Sequence, residues 1–101
     1  MKFTSTQAEF VFLRRKVYID KKLEYYLSPG ILDFFFERLD GKKISFEDFR
    51  NTIAYATAGS IARESMGEIS SDEFVTLRNQ LQRMILNNYY KDFKIAYENF
   101  Y

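Results

Sequence analysis

The chain has 101 residues, of which 47% are hydrophobic and 29% charged, with a net charge of +1; this is the composition of one globular domain and not of a disordered segment. It holds no cysteine and no histidine, which excludes disulfides, thiolate zinc sites, a cysteine nucleophile and the commonest general base. The first fifty residues carry 10 basic and 8 acidic groups and the remainder 5 and 6, so neither half has the excess of a dedicated nucleic-acid binder. No apolar run exceeds four residues, far short of the ~18 that a membrane span needs. The amino end, Met1-Lys2-Phe3-Thr4, has no apolar stretch of the secretory kind, and a cytoplasmic location is expected.

Thr6-Gln7-Ala8-Glu9 reads as a capping box, in which hydroxyl and carboxylate satisfy free amides at a helix start. A helix is therefore expected over residues 7 to about 27. Its apolar positions fall on two stripes, Phe10, Leu13 and Val17 on one and Phe12, Ile19, Leu23 and Tyr26 on the other, which a break near Asp20 would reconcile. A hairpin of Glu9–Leu13 with Lys16–Ile19 is the competing reading, because Val, Phe, Tyr and Ile favour strands. Against it, the connecting Arg14-Arg15 lacks the Gly or Asn of tight hairpin turns.

Ser28-Pro29-Gly30 marks a boundary, with proline suited to the first position of a new helix. That helix, to Leu39, is apolar around most of its girth, and such a segment is expected at the centre of a fold. Asp40-Gly41-Lys42-Lys43 turns the chain. Ser45 opens the next helix, in which Phe46, Phe49, Ile53 and Ala56 recur at helical spacing and Ala54–Ser60 is small-sided. Gly67 ends it. Ser70-Ser71-Asp72-Glu73 is a further capping box before a long last helix. Its first stripe is Phe74, Leu77, Leu81, Met84, Ile85 and Asn88, and its second, rotated away from it, is Tyr89, Phe93, Ala96, Tyr97 and Phe100. The sequence thus predicts an all-α fold, a compact bundle of four to five helices with a long C-terminal helix, in one domain over residues 1–101.

Chemistry is sparse. Ile44–Phe49 and Ile69–Phe74 look like the tail of an EF-hand loop, but the upstream positions lack the oxygen ligands and the glycine that calcium requires. Capping explains the same letters, and no metal or cofactor is expected. Glu37 with Asp40, and Glu47 with Asp48, are possible acid pairs, yet both sit at helix ends where carboxylates serve the backbone. No enzyme activity is expected.

The strongest signal is aromatic: 11 Phe and 8 Tyr make 19% of the chain. Each ring buries roughly 150–250 Å², and one small domain has few fully enclosed positions for nineteen of them. Part of the set, namely Tyr89, Tyr90, Phe93, Tyr97, Phe100 and Tyr101, is therefore expected to line a surface for a protein partner, which includes a second copy of the chain. Tyr89, Phe93 and Tyr97 would be its anchors. The competing account is that the C-terminal segment folds back over Phe34–Phe36 and caps the core. A small regulator or inhibitor acting by protein–protein contact follows. The alternative is a nucleic-acid-binding regulator that uses Arg14, Arg15, Lys16, Lys21 and Lys22 on phosphates, with neighbouring tyrosines to stack on bases.

Overall fold

The computed structural model describes residues 9–12, 15–36, 43–64 and 67–100, with the backbone alone for the two strands. They form an all-α bundle of five helices that carries one short hairpin. The order is β1 (Glu9–Phe12), β2 (Arg15–Tyr18), α1 (Asp20–Tyr26), α2 (Pro29–Phe36), α3 (Phe46–Glu64), α4 (Ser71–Asn88) and α5 (Tyr90–Phe100).

The helix expected from residue 7 is corrected in its first half. β1 and β2 pair antiparallel, with Glu9 opposite Tyr18, Phe10 opposite Val17, Val11 opposite Lys16 and Phe12 opposite Arg15. Because Arg15 already lies in the ladder, the connecting residues are Leu13-Arg14, outside the described set, and not Arg14-Arg15. Here β-branched and aromatic residues in both arms outweigh the missing turn glycine. The expected break near Asp20 is present, since α1 begins there. The capping box at Thr6–Glu9 lies outside the described side chains.

Ile19, Leu23 and Leu27 are buried at successive four-residue steps, so α1 presents one ridge to the core. The Ser28 hydroxyl donates to the Tyr25 carbonyl at 2.7 Å and so satisfies the end of α1, while the Leu32 amide donates to the Ser28 carbonyl at 2.9 Å as α2 begins. α2 does not take the central place expected of it. Only Leu32 and Phe36 of its eight residues are buried.

The centre is α3. Its buried residues form two neighbouring rows, Phe49, Ile53, Thr57 and Ile61 on one and Ala54, Ala58 and Ala62 on the other. The alanine row allows close approach of α4, with which α3 packs most extensively; α1 and α5 also lie against it. The one hydroxyl in these rows, Thr57 Oγ1, donates to the Ile53 carbonyl at 2.8 Å, which removes the cost of burying it.

Gly67 has φ of 95°, a left-handed conformation that suits glycine at the turn after a helix. The second capping box forms as read: the Glu73 amide donates to Ser70 Oγ at 3.2 Å and the Ser70 amide to Glu73 Oε1 at 2.9 Å. The long last helix is divided at Tyr89, whose φ of −122° and ψ of 26° leave the helical region. Asn87 and Asn88 are poor helix formers, and the Asn88 side-chain Nδ2 donates to the Met84 carbonyl at 2.7 Å. A straight helix would aim the two stripes in different directions. The break lets both Leu77-Leu81-Ile85 and Tyr89-Phe93-Ala96 enter one core.

Tyr89 is wholly buried, and its hydroxyl donates to the Asp20 carboxylate at the start of α1. Tyr89→Phe is expected to lower unfolding free energy by about 1.5 kcal/mol through loss of a hydrogen bond to a charged group, and Tyr89→Ala by about 3–5 kcal/mol through the cavity it leaves. Urea denaturation measures both, and wild-type stability in Tyr89→Phe would remove this bond from the support of the fold.

Candidate interaction surface

The C-terminal aromatic face expected from the sequence is not a free surface. Tyr89 and Phe93 have 0% exposure, so two of the three anchors are inside the protomer. Tyr97 is half-buried: its hydroxyl donates to the Ile44 carbonyl at 2.5 Å, and its ring lies 5.4 Å from Phe46 and 5.3 Å from Phe49. Phe100 is half-buried with its ring 6.0 Å from Phe36. Tyr90 is exposed at one edge, but its other side meets Phe46 at 5.4 Å and the Arg50 guanidinium at 5.4 Å. Tyr101 lies outside the described residues. The competing account holds in part: α5 folds over Phe36 and the start of α3, where the rings shelter one another, while Phe34 remains 76% exposed.

The basic cluster is only partly described. Arg14 lies outside the described residues, and Arg15 and Lys16 are placed on β2 by backbone alone. Lys21 is exposed. Lys22 pairs with Glu64 at 2.5 Å, so this cation is already engaged with α3. Of the possible acid pairs, Glu37 and Asp40 lie outside the described residues. Glu47 holds Arg50 at 3.1 Å, and the Asp48 amide donates to Ser45 Oγ at 3.1 Å. Both belong to the first turn of α3, as capping requires. Among the described residues no group of three or more acidic side chains converges as a metal site, and no helix is long and apolar enough to cross a membrane.

The most exposed rings among the described residues are elsewhere. Phe34 is 76% exposed, Tyr25 55% and Tyr55 52%. Ring contacts run continuously from Tyr25 to Tyr26 at 5.1 Å, from Tyr26 to Phe35 at 6.0 Å and from Phe35 to Phe34 at 5.9 Å. An open groove of about 520 Å³ is lined by Tyr26 of α1, Phe35 of α2 and, from α3, Tyr55, Ala56, Gly59, Ser60, Arg63 and Glu64. The Tyr55 wall is held by Arg78, whose guanidinium lies 5.2 Å from its ring centre. A second cavity, of about 510 Å³, lies between the α1–α2 junction and α5.

Sequence reading missed this surface, although a signal was present. A helix of eight residues that is apolar all round can be enclosed on every side only at the middle of a bundle. α2 follows Ser28-Pro29-Gly30 and is buried only at Leu32 and Phe36. Comparison with protein-family models, curated proteins and solved structures finds no match.

The Lys22–Glu64 contact raises the Lys22 pKa above 10.5, chiefly through the hydrogen bond to Glu64. Its stabilisation is therefore complete below that value and is lost as pH rises through the folded-state pKa. Lys22→Met is expected to cost at most about 0.5 kcal/mol at neutral pH, since the pair is largely solvated. The difference from wild type should close in alkaline urea titrations. A difference that persists once Lys22 has lost its proton in both states would assign it to packing of the lysine stem.

Proposed function

We propose that this chain is a non-enzymatic interaction domain, a small regulator or inhibitor that docks a protein partner on the aromatic surface around Phe34. The observation that carries this reading is Phe34 itself, 76% exposed at the middle of a regular helix and in ring contact with Phe35. An exposed phenylalanine forgoes about 1.5–3 kcal/mol of burial, and contiguous apolar surface of this kind marks contact sites in soluble proteins. Tyr25 and Tyr55 flank it, and tyrosine is among the residue types that dominate binding energy at interfaces.

A composition without histidine or cysteine supports the non-enzymatic part, as does the engagement of Glu47 with Arg50. A cytoplasmic setting belongs to the proposal and rests on the cysteine-free composition. The partner surface moves from the carboxyl end, where burial removes Tyr89 and Phe93, to α1, α2 and the adjoining face of α3.

Phe34→Ser separates a contact role from a folding role. The substitution is expected to leave unfolding free energy within about 0.5 kcal/mol of wild type, because the side chain is outside the core. It should weaken partner retention about thirtyfold or more, the loss of a hot-spot residue. Affinity capture from the native cell with wild-type and variant baits measures this, and identical retained proteins at identical yield would refute the reading.

A further inference from the structure

Resting on the reading of this chain as an interaction domain, we infer that the groove along α3 takes an acidic amphipathic helix of a partner protein. Apolar side chains of that helix lie over Gly59, and its flanking carboxylates meet Arg63 and Arg78. A groove receives a helix through apolar anchors at three- and four-residue steps. This groove suits such a row: the rings of Tyr26, Phe35 and Tyr55 line it, and Ala56, Gly59 and Ser60 keep its α3 side small. Glycine is a poor residue for a helix interior, and a Cβ at Gly59 would meet nothing within 4 Å. Packing inside the chain therefore does not call for glycine here, whereas close approach of another backbone does.

Charge selects the sign of the partner. Arg63 lines the groove and is exposed. Arg78 lies over the Tyr55 ring and donates to its hydroxyl at 3.5 Å. Among the described residues neither arginine pairs with a carboxylate. The carboxylates of the neighbourhood are engaged or lie elsewhere. Glu64, beside Arg63, is held by Lys22 at 2.5 Å. Asp20 accepts from Tyr89, and Glu24 and Asp33 line the other cavity, against α5. The groove and its edge thus set three cations, Lys22, Arg63 and Arg78, against the one carboxylate of Glu64. Opposite charge on a partner speeds encounter and fixes its register.

Arg78 is also placed in advance. Its guanidinium is stacked 5.2 Å from the Tyr55 ring centre and 5.9 Å from that of Phe74, so little side-chain freedom is lost when a carboxylate arrives. The groove admits one face of a short helix, which is less than a standard interface, and the affinity is correspondingly weak.

Fluorescence anisotropy with two labelled synthetic helices of about five turns tests this. Both carry leucine at three- and four-residue steps; the flanking positions are glutamate in one and lysine in the other. In titrations to about 500 µM protein, wild type should bind the acidic helix about tenfold or more tightly than the basic one. Gly59→Leu keeps the fold, because leucine is the better helix former, and fills the groove. It should weaken the acidic helix about tenfold or more with an unchanged circular dichroism spectrum. Arg63→Glu combined with Arg78→Glu should reverse the preference, a result that unfolding cannot imitate. Equal binding of both helices to wild type, an acidic helix indifferent to Gly59→Leu, or a double variant that still prefers it would each overturn the inference. The two readings fail separately. An acidic helix that does not bind, with capture from the native cell still dependent on Phe34, removes only this occupant of the groove. No binding together with capture indifferent to Phe34→Ser removes both.

Discussion

A tyrosine buried to its hydroxyl must find an acceptor inside the protein, and Tyr89 finds the Asp20 carboxylate, 69 positions earlier in the chain. This bond joins the break between α4 and α5 to the first turn of α1. The break and the bond need each other. Without the departure from helical geometry at Tyr89, the aromatic stripe of α5 would turn away from the core built by α3 and α4. With it, Phe93 and Ala96 continue the row that Leu77, Leu81 and Ile85 begin.

Once α5 is folded in, the aromatic excess becomes a packing device. Phe36 stacks on Phe49 at 5.4 Å, Phe49 meets Tyr97, and Tyr97 meets Phe46, which in turn meets Tyr90. Rings in tilted and edge-on pairs gain beyond their area, and each shields part of the next. A domain of this size thus accommodates more aromatic surface than a count of enclosed positions allows. The surplus argument errs by treating each ring as needing its own sheltered site, when partial burial in a chain of rings serves as well.

The features legible in the sequence are those governed by neighbours a few residues away. Ser70 and Glu73 fix the start of α4, Ser45 caps α3, Gly67 occupies its left-handed turn, and Pro29 opens α2, all through local backbone chemistry. The apolar spacing of α3 and α4 gives the all-α class and the buried faces. The hairpin was the harder case, because strand propensity in Phe10-Val11-Phe12 and Val17-Tyr18 opposed an absent turn signal, and cross-strand pairing decided it. The break at Tyr89 carries neither proline nor glycine; only Asn87-Asn88 hints at it, and the distant Asp20 completes it. The fate of Tyr89 and Phe93 was not legible for the same reason: a ring on an amphipathic helix reads identically whether its opposite surface is this chain or another.

The difference between sheltered and unsheltered rings is finally a matter of cations. Arg50 lies over Phe46 at 5.9 Å and over Tyr90 at 5.4 Å, Arg78 over Tyr55 at 5.2 Å and over Phe74 at 5.9 Å, and Lys43 over Tyr97 at 5.3 Å. Guanidinium stems cover apolar surface while their heads remain near water, and stacking over a ring adds electrostatic attraction. Phe46, Tyr90 and Tyr97 therefore meet a cation as well as a neighbouring ring, and Tyr55 and Phe74 share Arg78. Among the described residues none lies over Tyr25 or Phe34, although Lys21 and Lys22 stand on the same short helix as Tyr25; Lys22 is turned instead to Glu64. Cations of the fold thus cover Tyr90 and Tyr97 of α5 while Tyr25 and Phe34 stay more than half exposed, and on this asymmetry rests the proposal that an outside surface docks around Phe34.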